Sequence, residues 1–90
     1  MKKYTVKFEK KAIKNLKSID ISQAKLILTW IDHHLDGTTD PRKHGKPLKG
    51  KLNEYWRYRI GQYRIVVDIQ DEQLIIVVIS LGHRKEIYLK

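Results

Sequence analysis

The sequence predicts an α+β fold: an N-terminal strand, an antiparallel two-helix hairpin, then a three-stranded antiparallel meander, with the helices packed on one face of the sheet. Three observations predict it. Tyr4-Thr5-Val6-Lys7-Phe8 alternates apolar and polar side chains, the period of a half-buried strand. Apolar residues then recur at helical spacing from Ala12 to Leu35. From Tyr55 to Ser80 the pattern becomes that of strands, with turn signals between them.

Each element follows from its residues. In the first helix Ala12, Ile13, Leu16 and Ile19 fall on one stripe, and Lys10, Lys14 and Lys17 lie off it. Asp20, followed three residues later by Gln23, has the form of a capping box and opens the second helix. Ala24, Ile27, Leu28, Ile31 and Leu35 mark its buried stripe, and Gly37 stands where a C-terminal capping glycine belongs. Residues 38–51 contain both prolines, lack periodicity and read as a basic loop. Beyond it, strands at 55–60 and 63–69 are joined by Gly61-Gln62, a Gly-X pair suited to a two-residue type II′ hairpin turn. Residues 70–73 turn the chain into a last strand at 74–80, whose apolar run predicts a central position covered on both faces.

Ninety residues make a single domain, residues 1–90, with one modest core. There is no cysteine, which excludes disulfides, thiolate zinc sites and thiol nucleophiles. The longest apolar run is six residues, 74–79, against the roughly 20 that span a bilayer. The basic N-terminus is followed by no apolar stretch of the secretory kind. These features predict a soluble, cytoplasmic protein with no membrane partner.

Nineteen Lys and Arg against ten Asp and Glu leave a net charge of +9, which favours a polyanionic partner. With 41% apolar residues in ordered runs, the chain is not of the disordered type. The charge is concentrated: from Arg42 to Arg64 eight basic residues face a single acid, Glu54. Lys43, Lys46, Lys49 and Lys51 belong to the loop and suit either solvent or an RNA backbone. Arginines of the hairpin are more telling. Alternation puts Arg57 and Arg59 on one face and Trp56, Tyr58 and Ile60 on the other. A two-residue turn sets Arg59 opposite Arg64 and Arg57 opposite Val66. Facing like charges are destabilising, so the cluster predicts an anion site, with Asp68 on the same face as a partial counter-charge.

His83, beyond the last strand, is the best-placed titratable group by sequence. His33 and His34 are adjacent on a helix and cannot chelate from one face, and His44 stands alone in the loop. Neither a metal site nor a cofactor motif is indicated. A scissile phosphodiester fits the set: its cleavage needs a base for a 2′-hydroxyl, cations for the phosphorane and an acid for the 5′-oxygen. Arginine meets the second need well and the first poorly.

Gly45-Lys46-Pro47-Leu48-Lys49-Gly50, the Tyr55-to-Arg64 stretch, and Gly82-His83-Arg84-Lys85-Glu86-Ile87-Tyr88 together resemble the RelE/ParE superfamily of type II toxin–antitoxin toxins, the RelE-type branch above all. The resemblance implies the RelE-like microbial RNase fold and a toxin that enters the ribosomal A site and cuts mRNA there without a metal. It also implies a cognate antitoxin, acidic or amphipathic, that holds the toxin inactive. By matching position, the catalytic set is Arg57, Arg59, Arg64, Arg84 and Tyr88, with His83 added from the residues. Arg64 would brace the phosphate, Arg84 would serve the leaving oxygen, and Tyr88 would stack on or orient a base. RelE-type toxins carry lysines where this chain has Arg57 and Arg59, which leaves the general base to His83, Lys49 or Lys51. The alternatives are a ParE-like toxin that inhibits DNA gyrase without cutting nucleic acid, and an inactive homologue that only binds RNA or its antitoxin.

Overall fold

The computed structural model describes residues 2–48 and 55–83. Its elements are β1 (Thr5–Phe8), α1 (Lys10–Ser18), α2 (Ile21–His34), a 3-10 turn (Pro41–Lys43), β2 (Lys46–Pro47), β3 (Trp56–Ile60), β4 (Tyr63–Gln70) and β5 (Ile75–His83). The strands form one sheet in the order β1-β5-β4-β3-β2. β3, β4 and β5 are the expected antiparallel meander, and β1 lies parallel to β5, with Thr5 opposite Ile75. The α+β class read from the sequence is the one the chain adopts.

Both helices pack through most of the residues that their periodicity selects. Ala12, Ile27, Ile31 and Leu35 are buried in one core with Tyr58, Ile60, Ile65, Val67, Ile76, Val78 and Leu81 of the sheet. Asp20 caps α2 by accepting from the Ser22 backbone amide at 3.1 Å. Gly37 supplies the left-handed residue beyond the end of α2, at φ +83°. Its amide donates to the Tyr4 carbonyl at 2.8 Å, and the Tyr4 amide donates to the Thr38 carbonyl at 2.9 Å, so the helix end is tied to the start of β1.

Four expectations need correction. The stretch read as a plain loop contains the 3-10 turn and the short edge strand β2, where Pro47 is tolerated because it has no ladder partner to donate to on the open side. The last strand begins at Ile75, one residue later than expected. Leu74 sits in the turn at φ +57°, its carbonyl accepting from the Thr5 amide at 2.9 Å. β5 is interior but not central, and among the described residues its two faces are covered unequally. Ile76, Val78 and Leu81 are buried beneath the helices, whereas Ile75, Val77 and Ile79 are half-buried. Ile13 and Leu28, assigned to helical stripes, lie on the flanks and keep 42% of their surface exposed.

One irregularity positions the site. Val66 pairs with Ser80 but Val67 pairs with Val78, so Ile79 is an extra residue in β5. A bulge reverses the alternation beyond it. Leu81 thereby enters the core, Gly82 lies opposite Arg64, and His83 lies opposite Tyr63. Asn15 of α1 completes the arrangement by accepting from the Leu81 backbone amide at 3.0 Å.

Candidate functional site

The β3–β4 hairpin has the register its sequence predicts. Gly61 takes φ +59°, Ile60 pairs with Tyr63, Arg59 with Arg64, and Arg57 with Val66. Tyr58, Ile60, Ile65 and Val67 point into the core, so Arg57, Arg59 and Arg64 share the opposite face. Gly82, across from Arg64, leaves open space where a side chain would stand.

The loop before β2 is fastened to this hairpin at several points. Tyr58 donates its hydroxyl to the Pro41 carbonyl at 2.7 Å, and the Trp56 indole donates to the His44 carbonyl at 2.6 Å. Gly45 lies so close to β3 that a Cβ there would stand 2.1 Å from the Arg57 carbonyl oxygen, and its φ of +78° also requires glycine. Arg42 forms a two-pronged ion pair with Asp71, 2.9 Å at each prong, and Tyr4 donates its hydroxyl to the same carboxylate at 2.6 Å. The Arg42 guanidinium, and after it the Tyr4 hydroxyl, hold the Asp71 carboxyl below the usual carboxylate range. Burial raises the Tyr58 hydroxyl above its ordinary value, so that group stays a hydrogen-bond donor at neutral pH.

Between the loop, α2 and the open edge of β3 lies a cleft of about 480 Å³. Lys43, Lys46, Arg57, Arg59 and Arg64 line it, and among the described residues no carboxylate does. Asp68 is not part of the lining, and its Oδ2 accepts from the Gln70 side-chain Nε2 at 3.1 Å. Five cations in one concave site focus a positive potential suited to a phosphate chain.

Aromatic rings form the remaining wall. Trp30 of α2 and Tyr58 line the cleft with His44. Trp30 stacks on His34 at 4.6 Å between centroids, meets His44 edge-on at 5.7 Å and lies 5.5 Å from Tyr58. The His34 and His44 rings meet edge-to-face at 5.2 Å.

The cleft thus gathers Arg57, Arg59, Arg64, Lys43 and Lys46 from the residues singled out by sequence. It does not include His83. That ring shares the face of Tyr63, 5.8 Å away edge-on, and its Nε2 lies 3.1 Å from the Gln62 side-chain oxygen at the hairpin tip. Lys49, Lys51, Arg84 and Tyr88 lie outside the described residues. Sequence reasoning passed over His44 and Trp30. The spacing of Trp30 and His34 on one helix was visible, but nothing local linked either to His44.

The sequence model of the family described as "ParE toxin of type II toxin-antitoxin system, parDE" matches residues 6–88. The chain is 29% identical to Toxin RelG of Mycobacterium tuberculosis over 86 residues, covering 94% of this chain and 95% of that protein. It is similar to a chain in the crystal structure of the toxin–antitoxin complex RelBE2 from Mycobacterium tuberculosis, with a TM-score of 0.82 and 28% identity over 91% of this chain and 99% of that one. It also resembles a chain in the archaeal RelE–RelB complex from Pyrococcus horikoshii, with a TM-score of 0.69 and 26% identity over 96% and 99% of the two chains.

Proposed function

The chain belongs to the ParE toxin family of type II toxin–antitoxin systems, within the RelE/ParE superfamily, and on that premise we propose that it is a ribosome-dependent endoribonuclease that cuts mRNA in the A site. The observation that carries the reading is the cleft, with five cations, an aromatic wall and no carboxylate among its described lining residues. RNA is a polyanion whose bases stack on such rings.

In this reading Arg57, Arg59 and Arg64 grip the scissile phosphate and stabilise the charge of the pentacovalent phosphorane. Their fork matches non-bridging phosphate oxygens, and side chains alone carry the chemistry, without a metal. Lys43 and Lys46, with Lys49 and Lys51, hold the flanking backbone. Arg84 and Tyr88 act as the leaving-oxygen and base-orienting residues. His83, at the hairpin tip, serves the RNA path rather than the phosphate. A cognate antitoxin is the second partner, as in the RelBE2 and RelE–RelB complexes of the relatives.

Purified toxin freed of antitoxin and added to ribosomes programmed with mRNA is expected to cut within the A-site codon. Arg64→Ala is expected to lower the single-turnover rate about 10²-fold, the scale of losing one transition-state donor. The family model named for ParE favours a second reading, inhibition of DNA gyrase without cleavage. Intact mRNA together with gyrase-dependent DNA breaks would decide for it.

A further inference from the structure

We propose that His44 is the general base of the cleft, taking the proton from the attacking 2′-hydroxyl. The inference rests on the endoribonuclease reading and assigns the role that reading leaves open.

The cleft holds many groups that stabilise negative charge and few that can accept a proton. Guanidinium and ammonium groups remain charged near neutral pH and offer no lone pair. The Tyr58 hydroxyl is buried and donates to the Pro41 carbonyl. Indole has no acceptor nitrogen. Among the described lining residues His44 alone carries a ring nitrogen that can accept a proton in the neutral side chain.

His44 is also held in place. Its carbonyl is pinned by the Trp56 indole, and the next residue, Gly45, is pressed against β3. Its half-buried ring is flanked by Trp30 and His34. His34 Nδ1 lies 3.0 Å from the Trp30 carbonyl and must donate to it, which orients the supporting ring. His34 from α2 meets the His44 ring, and the charged and titratable groups that share the cleft with it are Lys43 and Lys46 from its own loop, Arg57, Tyr58 and Arg59 from β3, and Arg64 from β4.

The step balances without any further reagent. The 2′-hydroxyl proton passes to the neutral imidazole, the O2′–P bond forms and the P–O5′ bond breaks. The arginines bear the phosphorane charge. The departing 5′-oxygen, served by Arg84 in the endoribonuclease reading, takes its proton from solvent, which also receives the proton of the imidazolium, leaving a 2′,3′-cyclic phosphate and a 5′-hydroxyl.

Single-turnover cleavage on programmed ribosomes, measured across pH with the full chain, tests the assignment. Wild type is expected to slow towards acid pH. His44→Phe keeps ring packing against Trp30 but cannot accept a proton, and is expected to lose about 10²-fold or more in rate together with that acid limb. His44→Gln gives the same readout should the phenylalanine variant fail to fold. His44→Ala is expected to regain activity with added imidazole. A limb that survives in the folded variants, or a His44→Ala rate that imidazole leaves unchanged, assigns the ring to packing and overturns the proposal. Wild type that cuts no mRNA removes the endoribonuclease reading, and this inference with it.

Discussion

Arg59 and Arg64 stand directly opposite each other on the β3–β4 ladder, and Arg57 is on the same face. Such a like-charge pair costs roughly 0.2–1 kcal/mol in the folded chain. The arrangement makes sense if an anion completes it. Arg59→Gln is therefore expected to raise the melting temperature of the free toxin slightly, more at low salt than at high salt. The same substitution is expected to weaken RNA binding and slow cleavage. Thermal melts and single-turnover rates on one preparation check both halves. A melting temperature that falls would mean the facing guanidiniums are not in repulsion.

At the scale of elements, the loop carrying Lys43, His44 and Lys46 is held by the Arg42–Asp71–Tyr4 clamp as well as by Tyr58 and Trp56. Asp71 binds its proton less readily in the folded chain than in the unfolded one, because Arg42 and then Tyr4 bond its carboxylate. The clamp's contribution is therefore complete above the unfolded carboxyl value, near 4, and is lost as pH falls through the lower folded value. Asp71→Asn is expected to flatten the acid side of the stability-against-pH curve. Its cost at neutral pH is expected to be below about 1 kcal/mol, since both partners of the ion pair are roughly half exposed. Chemical denaturation at a series of pH values measures this. Cleavage is expected to suffer more than stability, because the loop supplies three of the cleft's lining side chains.

Over the whole molecule, the +9 charge divides into two parts with different consequences. Lysines on α1 and the loop are suited to long-range attraction, and the arginine cluster is suited to one phosphate. Binding of the toxin to ribosomes is expected to weaken steeply between about 50 and 200 mM salt, as for any protein that displaces counterions from a phosphate backbone. Lys43→Gln with Lys46→Gln is expected to lower the slope of log affinity against log salt by about one unit per lost phosphate contact. The same pair is expected to leave the rate of the bound complex within a few-fold. A salt slope that does not change would place the backbone path elsewhere on the surface.

Much of the fold was legible because it rests on local geometry. Stripes of Ala12, Leu16, Ile27, Ile31 and Leu35 specify the packed helix faces, and Gly61-Gln62 sets a turn that admits only one short register. The facing of Arg59 and Arg64 was determined by the sequence alone, since a strand alternates with a period of two and a two-residue turn leaves no freedom. The position of His83 was not. A single extra residue, Ile79, reverses the side-chain alternation of β5 and carries His83 away from the arginines. No local pattern marks that bulge, because it answers to packing: Leu81 fills the core and Asn15 satisfies the Leu81 amide from another element. The cleft itself is tertiary for the same reason. Trp30, His44 and Arg64 come from a helix, a loop and a strand, and only the close approach of Gly45 to β3 and the ring contacts across the sheet edge bring them to one cavity.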